Sequence, residues 1–282
     1  MNAIVAENLT RNFNGRRAVD GLTFSVKEGE IFGFLGPNGA GKTTTIRLLT
    51  GQLSPTAGRA VVAGCDVEKD VDRLKPLIGI VFEYQNLYER MSARENLDFY
   101  AKLYGVNKRR VGELLLQVGL GERANERIQR YSNGMKQRLL IARALIHQPR
   151  ILFLDEPTRG LDPSVAQEIR RLVIELASQG VTVFLTTHYM EEADQLCSYV
   201  AFINEGKLVA LDTPENLKVA YGKHHVRLTL DNGEQLTLFL DRPRDGHQLG
   251  ELAASGRVHT VHSGEATLEE VFIILTGRRL GI

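Results

Sequence analysis

The sequence has few cysteines, no long apolar run and almost no net charge, and each shortage argues against a class of protein. Its two cysteines, Cys65 and Cys197, form no CxxC pair among 282 residues, which argues against a disulfide scaffold and suits a reducing compartment. No apolar segment approaches the ~18 residues that cross a bilayer, and the first residues lack the apolar core of a signal peptide. We therefore expect neither a membrane span nor a signal peptide.

Charge is nearly balanced, because 35 basic side chains face 34 acidic ones and the formal net charge is +1. Such a chain has no strong field that would attract nucleic acid or an acidic membrane surface. The tight basic cluster at residues 108–110 is expected to be a solvated helix face. With 43% hydrophobic residues, a chain of this length can bury a sizeable core and hold about two domains.

Apolar strands alternate with helical periodicity, which predicts an α/β fold with ligands at the carboxyl ends of its strands. Strands are predicted at residues 3–9, 22–26, 31–35, 60–63, 78–82, 151–154 and 181–185. Helices are predicted at residues 42–49 and 165–176, and a helical insertion fills about residues 95–146.

The composition changes after Pro214. Two apolar runs, residues 226–230 and 235–240, flank Asp231-Asn232-Gly233, a sequence that favours a β-hairpin. We predict a main domain at residues 1–222 and a small α+β unit at residues 223–282.

A glycine-rich segment follows the predicted strand at residues 31–35 and opens the next helix. It reads Gly36-Pro37-Asn38-Gly39-Ala40-Gly41-Lys42-Thr43 and matches the pattern G-x-x-x-x-G-K-S/T. Its glycines let backbone N–H groups approach phosphate oxygens, and the helix start adds positive potential. Lys42 is suited to the β- and γ-phosphates, and the Thr43 hydroxyl to Mg²⁺. The segment predicts a nucleoside triphosphate site, with ATP as the expected ligand; the alternative is a glycine-rich turn without a ligand.

Two adjacent acids end the buried strand at residues 151–154. Asp155 is suited to Mg²⁺, which prefers hard oxygen ligands, and Glu156 to activating water as a general base. The alternative is an acidic turn before Pro157. His188 ends another buried strand, and its imidazole is a candidate to hold the γ-phosphate. The alternative is a purely structural role.

These features, together with Tyr131-Ser132-Asn133-Gly134-Met135-Lys136-Gln137-Arg138, resemble the ATP-binding subunits of ABC transporters over about residues 3–217. The resemblance implies a RecA-like P-loop core with an antiparallel β arm and a helical subdomain at about residues 86–147. It also implies that two copies enclose two ATP molecules head to tail.

The resemblance further implies individual roles. Phe13 takes the place of the aromatic that stacks on adenine, unless it is an ordinary hydrophobic turn residue. The Walker A loop corresponds to residues 36–44, that is, the glycine-rich segment together with Thr44. Asp155 and Glu156 correspond to the Walker B pair, Gly160-Leu161-Asp162 to the D-loop, and His188 to the switch histidine. Ser132 and Gly134 belong to the signature motif, which contacts the γ-phosphate held by the other subunit.

Ser132 is also expected to cap the helix that runs to Ile146, with or without a role at phosphate. Met135 stands where the family has glutamine, so a capping box is not expected there. A second departure is Glu83, which replaces the glutamine of the Q-loop. Its carboxylate is a candidate Mg²⁺ ligand that would also repel the γ-phosphate. We hypothesise that Glu83 makes hydrolysis more dependent on Mg²⁺ or on the partner.

The tail at residues 267–278 resembles the C-terminal motif of daunorubicin-resistance-type export ATPases, although it is also an ordinary amphipathic helix. The resemblance implies an ATPase that powers an exporter from the cytoplasmic face of the membrane, as a dimer, through a separate permease. Tyr84, Leu87 and Tyr88 border the expected permease groove; core packing is the alternative for them. Two further functions stay open, an importer subunit and a soluble ABC ATPase without a transport role.

Overall fold

The computed structural model describes residues 1–84, 86–221, 225–264 and 266–277. Contacts divide the chain into two compact units, residues 1–211 and a unit that begins at Asp212. The predicted domain boundary at residue 222 stays a prediction. Arg278, the last residue of the tail motif, lies outside the described residues.

The first unit and its junction with the second contain ten strands and seven helices within the described residues. In chain order these are β1 (Asn2–Phe13), β2 (Arg16–Lys27), β3 (Ile31–Leu35), α1 (Lys42–Leu49), β4 (Ala57–Val62), β5 (Cys65–Asp66), α2 (Val71–Leu74), β6 (Ile78–Val81), α3 (Ala93–Leu103), α4 (Lys108–Gln117), α5 (Asn133–Ala144), β7 (Ile151–Asp155), α6 (Pro163–Ser178), β8 (Thr182–Thr187), α7 (Met190–Leu196), β9 (Tyr199–Asn204) and β10 (Lys207–Asp212). The predicted α/β fold is confirmed.

Two sheets form the body of the first unit. One has the order β2-β1-β4-β5, and β1 pairs antiparallel with both β2 and β4. The other has the order β10-β9-β3-β8-β7-β6, and its neighbours from β9 to β6 run parallel. Because β8 lies between β3 and β7, the end of β8 separates the glycine loop after β3 from the acids that end β7.

Aromatic rings fill the core between the two sheets. Phe24 of the antiparallel sheet stacks on Phe32 of β3 with ring centroids 5.7 Å apart, and Phe32 stacks on Phe184 of β8 at 5.6 Å. Phe153 of β7 extends the cluster, 5.5 Å from Phe184. Burial of each such side chain stabilises the fold by about 1.5–3 kcal/mol. The cluster therefore fixes the strands that carry the loops at the carboxyl edge.

The predicted helical insertion contains three capped helices. Ser92 and Glu95 form a capping box at the start of α3, and the Asn107 side chain caps α4. Ser132 caps α5, as the sequence predicts, and its Oγ accepts a hydrogen bond from the Met135 N–H at 3.3 Å. The cap lacks the reciprocal side-chain bond, because Met135 cannot supply one. Helix α5 ends at Ala144, two residues before the predicted end.

The second unit has an α+β architecture. Its elements are α8 (Pro214–Tyr221), β11 (His225–Leu230), β12 (Gln235–Phe239), α9 (Pro243–Ala254), β13 (Val258–Gly264) and α10 (Leu268–Thr276). The sheet order is β12-β11-β13, and β11 and β12 form the predicted hairpin, in which Gly233 has a φ of 82°. A capping box formed by Thr267 and Glu270 starts α10.

Across the part of the chain that the structure describes, no helix is both long enough and apolar enough to span a bilayer.

Candidate functional site

A cavity of about 840 Å³ lies where the glycine loop meets the carboxyl ends of the parallel strands. Open α/β sheets bind ligands at this edge. The lining residues are Phe13, Arg16, Arg17, Ala18, Pro37, Asn38, Gly39, Gly41, Lys42, Thr43, Thr44, Glu83, Tyr84, Glu156, Arg159, Glu205 and Gly206. Most of the residues predicted for nucleotide binding therefore line this cavity. Of the loop residues, Gly36 and the buried Ala40 are not part of the lining.

The glycine loop has room only for glycine at two positions. A Cβ on Gly36 would lie 2.2 Å from the Ile203 carbonyl oxygen, and one on Gly41 would lie 2.4 Å from that of Ala18. Gly41 also has a φ of 109°, a conformation that side chains disfavour. Helix α1 begins at the next residue, so its unpaired N–H groups lie at the cavity. This arrangement provides an anion site.

Lys42 is buried and has three oxygen partners. Its Nζ donates to the Gly36 carbonyl at 2.7 Å and the Pro37 carbonyl at 3.3 Å, and lies 2.9 Å from Glu156 Oε1. The side chains of Lys42 and Glu156 are only 6% and 4% exposed. A buried charge is tolerated when it is paired in this way. The chain thus brings the predicted phosphate-binding lysine and the predicted general base into contact.

Asp155 is buried among hydroxyl groups. Its Oδ2 accepts a hydrogen bond from Thr43 at 2.7 Å, and its Oδ1 accepts one from Thr186 of β8. Among the described residues, no basic side chain forms an ion pair with this carboxylate. A buried carboxylate beside a threonine hydroxyl, without a cationic partner, fits Mg²⁺, which prefers hard oxygen ligands. Thr43 and Asp155 therefore stand together where a metal would be held.

Glu156 is held in an unusual backbone conformation, with a φ of 52°. Its N–H donates to the carbonyl and to the hydroxyl oxygen of Thr186, both at 3.1 Å. Its Oε2 lies 2.7 Å from His188 Nδ1. Non-glycine residues in this region are uncommon and cluster at functional sites. The structure thus joins the predicted base to the predicted switch histidine.

Phe13 lies at the end of β1, at the edge of the cavity. Its ring is 40% exposed, and the Arg11 guanidinium stands 4.7 Å from its centroid. An exposed ring at the mouth of a phosphate site is free to stack on a flat ligand.

The two signature residues do not line the cavity of their own chain, as far as the described residues go. Ser132 is exposed at the N-terminus of α5, whereas Gly134 is buried against α6. A Cβ on Gly134 would lie 2.2 Å from Val165 Cγ1, so this position also requires glycine. The helix start is exposed and lies outside this lining, where its positive potential could meet an anion from elsewhere.

Glu83 lines the cavity, and its Oε1 accepts a hydrogen bond from Arg159 Nη1 in an ion pair. Arg159 belongs to the turn after β7, where its N–H donates to the Glu156 carbonyl at 3.2 Å. The candidate metal ligand Glu83 is thus paired with a cation rather than with Thr43 or Asp155.

The sequence analysis missed Thr186, Arg159 and Glu192. Thr186 lies two residues before His188, where the apolar run Val183-Phe184-Leu185 gives way to two threonines, and that change was the available signal. Glu192 of α7 is buried; burial raises the pKa of its carboxyl and the charge of Glu156 adds to the rise, while Thr158, Thr187 and Arg170 oppose it. Nothing local in the sequence distinguishes Glu192 from the exposed Glu191.

This geometry agrees with the comparisons. The ABC transporter family matches residues 19–159. The chain belongs to this family, and within it is an ATP-binding ATPase subunit, which confirms the resemblance seen in the sequence.

The relatives include export and resistance subunits. The fluoroquinolones export ATP-binding protein of Mycobacterium tuberculosis (strain CDC 1551 / Oshkosh) is 43% identical over 93% of this chain and 89% of its own. The daunorubicin/doxorubicin resistance ATP-binding protein DrrA of Streptomyces peucetius is 37% identical over 98% of this chain and 92% of its own.

Solved structures support the same fold. The cbiO1 protein of Clostridium perfringens, part of the ABC transporter complex cbiONQ, has a TM-score of 0.73 and 29% identity over 78% of this chain and 92% of its own. A dimeric post-hydrolysis state of an ATP-binding cassette bound to ADP and Pi has a TM-score of 0.68 and 27% identity, over 74% of this chain and 98% of its own.

Proposed function

We propose that this chain is the motor of an ABC exporter: two copies bind ATP between them, hydrolyse it, and drive a separate membrane permease. The observation that carries the proposal is the buried contact of Lys42, Glu156 and His188 beside the glycine loop. These groups supply a phosphate-binding cation, a base and a hydrogen-bonding imidazole within one site.

Binding of the triphosphate changes the partner of Lys42. The ammonium pairs with Glu156, and the phosphate oxygens of a bound triphosphate would compete for it. Release of Lys42 leaves Glu156 free to accept a proton from the attacking water. His188, 2.7 Å from Glu156, orients that carboxylate and donates towards the γ-phosphate. Phe13 stacks on the base, and Thr44, Asn38 and the loop N–H groups hold the phosphates.

Thr43 and Asp155 would hold Mg²⁺, whereas Glu83, the other predicted ligand, is paired with Arg159. The ion would supply positive charge that offsets the phosphates during transfer. Thr186 keeps the Asp155 carboxylate in place by its hydrogen bond to Oδ1.

The other half of each site comes from a second subunit. Ser132 is exposed at a helix N-terminus and Gly134 brings that helix close to α6, which supports contact with an anion beyond the chain's own cavity. Two identical chains arranged about a twofold axis complete two such sites at once.

Export is supported by the relatives' printed names, fluoroquinolones export and daunorubicin/doxorubicin resistance. Docking to a permease is supported by exposed rings near the cavity: Tyr84 is 83% exposed and Tyr88 is 48% exposed. Aromatic side chains are enriched at protein interfaces. The permease would hold the ATPase at the cytoplasmic face of the membrane.

The test uses Glu156→Gln. Because the amide cannot take a proton from water, this variant is expected to bind ATP without turnover and to elute as a dimer in gel filtration with ATP. A monomer under these conditions contradicts the sandwich. Lys42→Ala is expected to lose ATP binding, and full ATPase activity in that variant contradicts the assignment of the loop.

Export is tested on the co-purified permease complex. We expect candidate drugs to stimulate its ATPase activity and to move outward from vesicles whose cytoplasmic face is inward and that contain ATP and drug. Inward movement would favour the importer alternative.

A further inference from the structure

An acidic side chain lines a cavity that must accept a polyanion. Glu83 follows β6 by two residues, and its side chain, 31% exposed, places an acidic group in the lining of the cavity. A like charge opposes the binding of phosphates. A chain with Glu83 at this position therefore needs a compensating cation.

Arg159 is that cation within the described residues. It lies 76 positions further along the chain, yet its guanidinium pairs directly with the Glu83 carboxylate at the wall of the same cavity. The neighbouring Glu156 is neutralised separately, by Lys42. Each of these two carboxylates thus has its own basic partner.

The backbone fixes where the Arg159 charge lies. The residue belongs to the turn that follows Glu156, and its N–H donates to the Glu156 carbonyl at 3.2 Å. Gly160 next to it has a φ of 70°, and the Leu161 N–H donates to the Thr158 carbonyl at 3.2 Å. The turn therefore ties the backbone of Arg159 to Glu156, while its side chain reaches the Glu83 carboxylate.

We propose that Arg159 is a positioning residue that offsets the charge of Glu83 and holds its carboxylate aside, which allows this chain to bind a nucleoside triphosphate despite the acid. This inference rests on the proposed nucleotide function. It predicts that the importance of Arg159 depends on Glu83. An arginine that instead contacts phosphate itself would matter equally with or without the acid.

The experiment measures the Kd of ATP in EDTA, by displacement of a fluorescent ATP analogue, so that neither turnover nor metal ligation contributes. Arg159→Gln leaves Glu83 uncompensated, and we expect the Kd to rise about 5-fold at low salt, the scale of one partly exposed charge. The loss should shrink in 0.5 M salt, to less than about 2-fold, because salt screens exposed charges.

Three further variants separate charge compensation from direct contact. Glu83→Gln/Arg159→Gln is expected to return the Kd to within about 2-fold of wild type, and Arg159→Lys to stay there, since lysine keeps the charge. Glu83→Gln alone is expected to stay within about 2-fold of wild type, because in the wild-type chain Arg159 already offsets the acid. Arg59→Gln, which breaks the distant Arg59–Glu7 pair, is the matched control and should leave the Kd unchanged.

Two results would overturn the proposal: a double variant as weak as Arg159→Gln, or a Glu83→Gln variant that binds ATP more weakly than wild type by over about 2-fold. Thermal melts check that each variant is folded. If Arg159→Gln does not fold, the comparison of Glu83→Gln with the double variant decides: a difference above about 2-fold would show that Arg159 acts on phosphate without the acid and would overturn the proposal. Absence of ATP binding to the wild-type chain would instead contradict the proposed function and is distinguishable from either result.

Discussion

At the scale of residues, the site depends on buried charges that share one hydroxyl. Thr186 donates to Asp155 and accepts from the Glu156 N–H, so a single side chain of β8 holds both acids. Thr186 is fully buried, and Asp155 and Glu156 are buried as well. Without the Thr186 hydroxyl, water could not easily replace the hydrogen bonds that these two acids would lose. Buried polar groups are costly when they lose a partner.

Thr186→Val is therefore expected to lower the free energy of unfolding by about 1–3 kcal/mol, because it removes the hydroxyl at constant volume. The ATPase rate should fall with it, since Asp155 and Glu156 lose a common support. Urea denaturation and a steady-state assay measure the two effects. Thr186→Ser keeps the hydroxyl and is the control; equal losses in both variants would show that the methyl group, not the hydroxyl, is what matters.

Glu192 makes stability depend on pH. Burial raises the pKa of its carboxyl in the folded state above the ordinary value of 4.5. The folded state then binds the proton more tightly, so the stability that this group contributes is complete below pH 4.5 and is lost as pH rises through the folded-state pKa. Wild type should lose stability relative to Glu192→Gln over that interval. The difference is measured by denaturation at a series of pH values, and a pH-independent difference would contradict the raised pKa.

At the scale of elements, helix α5, which begins at the proposed signature residues, packs closely on α6. Gly134 makes that approach possible, since a Cβ there would lie 2.2 Å from Val165 Cγ1. The glycine of α4, Gly112, has no atom within 4 Å of the same position. An added methyl group would therefore clash at Gly134 in α5 and meet no other atom at Gly112 in α4.

Gly134→Ala is expected to destabilise the protein by about 1–3 kcal/mol through overpacking. Gly112→Ala, the matched control, is expected to stabilise it by about 0.5–1 kcal/mol, because alanine is the better helix former and meets nothing. Denaturant midpoints measure both changes. Val165→Ala should relieve the first effect, and a Gly134→Ala variant as stable as wild type would contradict the close packing of α5 on α6.

At the scale of the whole molecule, each proposed ATP site is divided between two chains. The cavity contains the glycine loop and the acids, whereas Ser132 is exposed elsewhere on the same unit. Variants that damage different halves of the site should therefore complement each other when they are mixed.

Lys42→Ala and Ser132→Arg are each expected to be inactive alone. In an equal mixture half of the dimers pair one variant with the other, and each mixed dimer has one intact site. Activity should recover to about a quarter of the wild-type value if the sites act independently. ATPase rates of the mixture against the separate variants make the measurement. Recovery is absent if each chain holds a complete site.

The sequence by itself determined the parts that depend on neighbours in the chain. The segment at residues 36–43 determined a phosphate loop, because its glycines and the helix after it act locally. Ser132 at the start of an apolar periodicity determined a cap, and Asp231-Asn232-Gly233 determined a hairpin turn. The α/β class followed from the alternation of periods, and the family resemblance supplied the order of the site residues.

Only the tertiary structure decided which distant residues meet. The insertion of β8 between β3 and β7 brought Thr186 to both acids, and periodicity contains no information about strand order. Folding likewise paired Glu83 with Arg159 and changed the expected picture of an acid that opposes phosphate into one of a compensated charge. The physical reason is that local conformation depends on a few adjacent side chains, whereas these contacts join segments that only the packed sheets hold together.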